Sequence, residues 1–202
     1  MKLFYAPGVC SLAPHIALRE AGLEVELQKV DTKTKAMEGG GNFLEINPKG
    51  YVPVLQLDNG TVLTEGPVIG QYIADLKPES KLAPPAGTME RYRLQELLGF
   101  LNSEVHKTFG PLFKPTTPNE YKDALRTQLG ERFDYLSTQL QGKQWLMGDT
   151  FTIADGYLFT LLGWTQWTHI DLKKWPVLAD YSARVAARPA VQAALKAEGL
   201  LK

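Results

Sequence analysis

The stretch FYAPGVCSLAPHIAL, Phe4 to Leu18, decides how the rest of the chain is read. Leu3, Phe4 and Tyr5 make a short apolar run of strand character, and Pro7 with Gly8 punctuates it. Beyond Cys10, the chain's one cysteine, Leu12 and Ile16 recur at four-residue spacing, as do Ala13 and Ala17. This spacing predicts a helix starting just after Cys10, with Ser11 as its N-cap and Gly22 as its stop. A strand, a tight loop carrying a thiol and a helix therefore open the chain.

The composition narrows what such a chain can be. The apolar run after Lys2 ends at Pro7, too early for a secretory signal, and no segment reaches the roughly 18 consecutive apolar residues that cross a bilayer. One cysteine makes no disulfide framework, and an unpaired thiol suits a reducing compartment, so a cytoplasmic location is expected. With 202 residues, 44% of them hydrophobic, the chain can bury a full core in one large or two small domains. Lys and Arg number 22, balanced by 22 Asp and Glu. With no block of one sign, neither nucleic acid nor an anionic membrane has a footprint, and a small molecule or a protein is the expected partner.

The texture changes once along the chain. The first part alternates short β-like runs (KLFY, VELQKV, VPVLQL, TVLT) with helical ones, and everything beyond KPESKLAPPAG reads as helix. Three prolines and a glycine make that segment a linker. The expected organisation is an α/β domain over 1–77, a linker over 78–87 and an all-α domain over 88–202. In GPVIGQYIADL, Pro67 suits the first helical position, and Val68, Ile69, Tyr72, Ile73 and Leu76 form an apolar stripe. Asp58, Asn59 and Gly60 are a hairpin signal between the last two strands. The order is β-α-β, an irregular stretch, then β-β-α.

Thioredoxin-like domains use this order, and Cys10 stands where their redox cysteine stands. At a helix N-terminus, backbone N–H groups and the helix dipole favour a thiolate, so Cys10 is expected to be partly ionised near neutral pH. Ala13 occupies the place of a second, resolving cysteine. Any exchange therefore needs an external thiol, and glutathione is the obvious candidate.

Two further motifs suit the same ligand. In NPKGYVPVL, Asn47 to Leu55, the resemblance to thioredoxin-like domains implies a cis Pro53, with the N–H and C=O of Val52 left open to pair with a peptide backbone. In LTEGP, Leu63 to Pro67, the free N–H groups at a helix start suit a carboxylate, and Glu65 suits an ammonium. A cap with a solvated glutamate remains an equal alternative for this motif. Together they fit a zwitterionic γ-glutamyl peptide.

In the helical half, Leu94, Leu97 or Leu98, Leu101, Val105, Phe109 and Leu112 form a core stripe. Gly99, Asn102, Ser103, His106 and Gly110 share a neighbouring face that could line a cleft. Thr152 and Asp155 make a capping box to which no chemistry is assigned. A staple from Phe151 would meet only Gly156. The four tryptophans read as core, although Trp164 or Trp167 could border a pocket.

The whole chain resembles the cytosolic glutathione S-transferases, and FYAPGVCSLAPHIALRE, NPKGYVP, LTEG and SEVHK are similar to the bacterial beta class. The resemblance implies a thioredoxin-like domain followed by a helical-bundle domain, a homodimer with two glutathione sites near the subunit interface, and a pocket for a small hydrophobic electrophile in the helical domain. It implies glutathione as co-substrate, no other cofactor and no metal. By resemblance Cys10 and His106 are catalytic. Val52 and Pro53 meet the cysteinyl backbone, Glu65 and Gly66 the γ-glutamyl end and Lys35 the glycyl carboxylate, while Ser103 and Glu104 complete the site, possibly from across the interface. Tyr5, where other classes use a tyrosine, is read as structural. Gly66 replaces a serine of many relatives and Gly99 an asparagine of some, so weaker glutathione binding is expected. A thiol-disulfide reductase, a reductive dehalogenase and a non-enzymatic ligand carrier stay open as alternatives to conjugation.

Overall fold

The computed structural model describes residues 1–201. Four short strands, β1 (Lys2–Tyr5), β2 (Glu26–Lys29), β3 (Val54–Gln56) and β4 (Val62–Thr64), form one sheet in the order β2-β1-β3-β4. β1 pairs parallel with β2, whereas β1–β3 and β3–β4 are antiparallel. The parallel pair needs a crossover, and α1 (Leu12–Glu20) supplies it. The β3–β4 hairpin turns at Asn59 and Gly60, the latter at φ 83°.

Helix α2 (Gly66–Leu76) closes this half. Its buried face is Ile69, Gly70, Ile73 and Ala74, not the wider stripe expected, and Val68 and Leu76 are exposed. Gly70 accounts for the rotation: a Cβ there would stand 3.4 Å from Ile153, so the helix approaches the second half through its smallest residue. The helix starts one residue before Pro67.

The second half is helical from α3 (Met89–Phe100) onward. The chain continues through a π-helical stretch, Leu101–His106, into the single turn α4 (Lys107–Phe109), then α5 (Asn119–Leu140), α6 (Ile153–Gly163), α7 (Pro176–Ala186) and α8 (Pro189–Ala197). Leu94, Leu98, Leu101, Val105, Phe109 and Leu112 are all buried, as the sequence stripe requires. Helix α6 lies at the centre, packed on α1 and α7. Its capping box is present: the Thr152 N–H donates to the Asp155 carboxylate at 2.8 Å. The staple is absent. Phe151 instead packs on Trp145 and under the Arg188 guanidinium, and Gly156 meets Ile16 of α1, leaving 3.2 Å for a Cβ.

The halves are also joined beneath the Cys10 loop. Glu198 and His15 are fully buried and 2.8 Å apart, Glu198 accepts the Gly8 N–H at 2.9 Å, and the Trp164 indole N–H donates to the Gly8 carbonyl at 2.9 Å. Gly8 itself sits at φ 71°, which a side-chain-bearing residue rarely adopts.

Candidate active site

Between the halves lies a cleft of about 380 Å³ lined by residues from both, including Cys10, Lys49, Val52, Pro53, Glu65, Gly66, Asn102, His106 and Tyr157. Most of the residues expected from the motifs therefore meet. Their local chemistry differs from expectation at several points.

Ser11 does not cap α1. Its backbone is already helical, and its hydroxyl is spent inside the preceding loop, accepting from the Ala6 N–H and donating to the Ala6 carbonyl, both at 3.1 Å. Cys10 is not poised as a thiolate either. Burial pushes its thiol up to about 12, outweighing the N–H groups of Cys10 and Ser11 that favour the anion. The thiol donates to the Val52 carbonyl at 3.2 Å, so that carbonyl is not open as expected. Because the folded value exceeds the usual thiol value, the buried thiol adds stability below about pH 9 that is lost toward pH 12. Val52–Pro53 is cis, and among the described residues the Val52 N–H has no acceptor.

Glu65 precedes α2 at φ 70° and makes no cap with its side chain. Its carboxylate pairs with the Lys49 ammonium at 2.6 Å, and Lys49 also donates to the Thr64 hydroxyl. The first N–H of α2, on Gly66, has no acceptor among the described residues, and the nearest atom a Cβ there would meet is 3.8 Å away. Lys35 fastens its own loop, donating to the carbonyls of Thr32 and Gly50, and its ammonium stands 5.9 Å from the Tyr51 ring centroid.

The face expected from helical spacing divides. Asn102, His106 and Gly110 line the cleft, while the Ser103 hydroxyl turns back onto the Gly99 carbonyl at 3.1 Å and Glu104 pairs with Arg132 at 3.0 Å. Leu101–His106 is π-helical, and within this wider turn Asn102 and His106, four residues apart, both face the cleft. His106 Nδ1 lies 2.6 Å from the Tyr157 hydroxyl, which lies 3.1 Å from Asn102 Oδ1. The imidazole stands edge-on to the buried Trp164, 4.9 Å between centroids. Burial, then the Lys107 ammonium, lowers its pKa to about 4, so the ring is neutral at physiological pH. Trp164 also meets Phe109 and Phe113 edge-on, forming an apolar wall beside His106, whereas Trp167 is exposed. Tyr5 is buried in the core.

The model of the glutathione S-transferase N-terminal domain matches residues 9–76, and that of the glutathione S-transferase C-terminal domain matches residues 100–189. The chain belongs to the glutathione S-transferase family. Glutathione S-transferase GstA of Escherichia coli O157:H7 is 48% identical to this transferase over 200 residues, covering 99% of the chain and 100% of the relative. Two solved structures align over the full length of both chains with a TM-score of 0.96: the bacterial beta class enzyme of Sphingomonas chungbukensis, 51% identical, and a sphingomonad glutathione S-transferase complexed with glutathione, 50% identical. The N-terminal half of this transferase is thioredoxin-like and the C-terminal half helical. No helix among the described residues is long and apolar enough to cross a membrane.

Sequence reasoning passed over Lys49 and Tyr157. Lys49 lies inside the motif that was singled out, two residues after Asn47, so its position carried a signal. Tyr157 sits in an almost wholly apolar helix and carried none.

Proposed function

We propose that this transferase conjugates glutathione to small hydrophobic electrophiles, and that one observation carries the reading: a cleft in which unpaired backbone N–H groups, a carboxylate–ammonium pair and a neutral imidazole face one another. The Val52 N–H suits the cysteinyl carbonyl of glutathione. The Gly66 N–H suits its γ-glutamyl carboxylate, and Glu65 its ammonium. Lys49 balances the charge of Glu65 beside the γ-glutamyl end, while Lys35 acts through its loop, near the glycyl end. His106 accepts the thiol proton, and the sulfur lone pair forms a bond to the electrophilic carbon as the leaving group departs with its electrons. Exposed Phe113, backed by the buried Trp164 and Phe109, offers the apolar surface for the electrophile. The relatives do not favour the reductase, dehalogenase or carrier alternatives.

Ser103 and Glu104 face away from the cleft of their own subunit, which suits a part across a homodimer interface. Sedimentation over a wide concentration range should show twice the 22.4 kDa chain mass, and a fully active monomer would exclude a cross-subunit role. A cytoplasmic location and a detoxifying role fit this chemistry.

Cys10 serves disulfide exchange rather than conjugation. Its raised pKa makes it slow to react. Its sulfur attacks a mixed disulfide of glutathione, releasing the other thiolate, and the Cys10–glutathione disulfide formed is cleaved by the thiolate of a second glutathione, which leaves as oxidised glutathione. The test is a panel of electrophiles and mixed disulfides with glutathione as co-substrate. Cys10→Ala should lose disulfide reduction more severely than conjugation, and the wild type alone should gain one glutathionyl unit from oxidised glutathione by intact mass. Collapse of both activities in Cys10→Ala would refute this division, and absence of conjugation across the panel would refute the main reading.

A further inference from the structure

The Tyr157 hydroxyl stands between two groups, His106 Nδ1 at 2.6 Å and Asn102 Oδ1 at 3.1 Å, and has one proton to give. Tyr157 is buried, and burial raises its pKa further, so the phenol keeps that proton. Asn102 presents its amide oxygen, which only accepts. If the phenol donated to Nδ1 instead, its lone pairs would face those of Oδ1 at hydrogen-bond distance, with no proton between them. The phenol proton therefore goes to Asn102, and Nδ1 is the donor to Tyr157. We infer that Asn102 and Tyr157 are positioning residues that hold His106, a lining residue of the cleft, as the tautomer protonated on Nδ1, so that its free lone pair is on Nε2.

The inference rests on the conjugation reading above and adds what orients its base. An imidazole whose proton sat on Nε2 would offer the thiol of glutathione a donor, not an acceptor, and could not take its proton. With the Asn102 amide oxygen turned to the phenol, the chain His106 Nδ1–H to Tyr157 O–H to Asn102 Oδ1 is the arrangement in which each acceptor meets a proton. Its anchor is firm. Tyr157 stands on α6, fixed at its start by the Asp155 capping box and along its side by the contact of Gly156 with Ile16. Its other terminus is on the π-helical stretch, whose wide turn carries both Asn102 and His106 into the cleft. Two helices thus meet on one phenol oxygen.

The tautomer is measured directly in protein labelled with 15N-histidine, by the pattern of long-range proton–nitrogen correlations. The chain has three histidines, and comparison with His106→Ala assigns the one that matters. At pH 7, without glutathione, wild type should show His106 protonated on Nδ1. Asn102→Ala removes the acceptor for the phenol proton, which then turns to Nδ1, so His106 should shift toward the Nε2-protonated form and kcat for conjugation should fall about tenfold or more. Asn102→Asp, whose side chain accepts only, should restore the wild-type tautomer. Asn102 is exposed, so its variants are expected to fold. Wild-type His106 protonated on Nε2, or Asn102→Ala with an unmoved tautomer, would overturn the inference. Because the tautomer is read without any substrate, a protein that failed to conjugate would refute the proposed function and leave this measurement standing, whereas a conjugating protein with the opposite tautomer would refute the relay alone.

Discussion

Asp155→Ala is expected to lower the unfolding free energy by about 3–5 kcal/mol. The carboxylate is fully buried and accepts from the Leu146 N–H at 2.9 Å, the Thr152 N–H at 2.8 Å and the Tyr181 hydroxyl at 2.8 Å. Truncation orphans these donors and the Thr152 hydroxyl, 3.1 Å from Oδ2, in a dry site, and each costs about 1–3 kcal/mol where water cannot replace the acceptor. It also removes the cap of α6, the helix on which α1 and α7 pack. Thermal unfolding should begin roughly 10 °C lower. A loss below about 1 kcal/mol would mean that water or a neighbouring group satisfies the donors.

His106→Ala is expected to reduce kcat for conjugation about 100-fold, with a much smaller change in KM for glutathione, because the imidazole acts on the thiol proton and not on the peptide's ends. With a pKa near 4, the ring is neutral from about pH 5 upward, so the deficit should stay constant between pH 6 and 8. The sign of the stability effect follows from the same burial. The folded value lies below the ordinary 6.5, so the unfolded chain binds more protons between those values, and stability falls as pH drops from 6.5 toward 4. A deficit smaller than about fivefold would remove His106 from the reacting centre.

The part of the site legible in the sequence was the part written in contiguous motifs. NPKGYVP and LTEGP each encode a local backbone shape, and those shapes bring Val52, Pro53, Glu65 and Gly66 to one cleft. The element order was legible for a similar reason, since strand and helix periodicities are local. What was not legible depends on how distant parts meet. A helix terminus favours an ionised Cys10, yet the loop folds its thiol inward against a carbonyl 42 residues away, and burial outweighs the N–H groups. Ser11 has the right residue type for a cap, but Ala6 competes for its hydroxyl. Ser103 and Asn102 are neighbours in sequence, and how their helix seats against the rest of the molecule decides which of them faces the cleft. Tyr157 is 51 residues from His106, and nothing in an apolar run distinguishes a core tyrosine from one whose hydroxyl orients a base.

Gly8, held on one side by Trp164 and on the other by Glu198, also sets an order of events in time. During synthesis the thiol loop emerges near the start, but the tryptophan that grips it comes 156 residues later and the glutamate 190 residues later. Such distant pairings form last, because they close the longest loops. The nascent chain thus leaves one side of the Cys10 loop open while the helical half is still being made, and the pocket around it takes shape only once Trp164 and Glu198 are in place. A chain halted between the two halves would hold out a sheet whose thiol meets the Val52 carbonyl alone, with the wall from the helical half still to come.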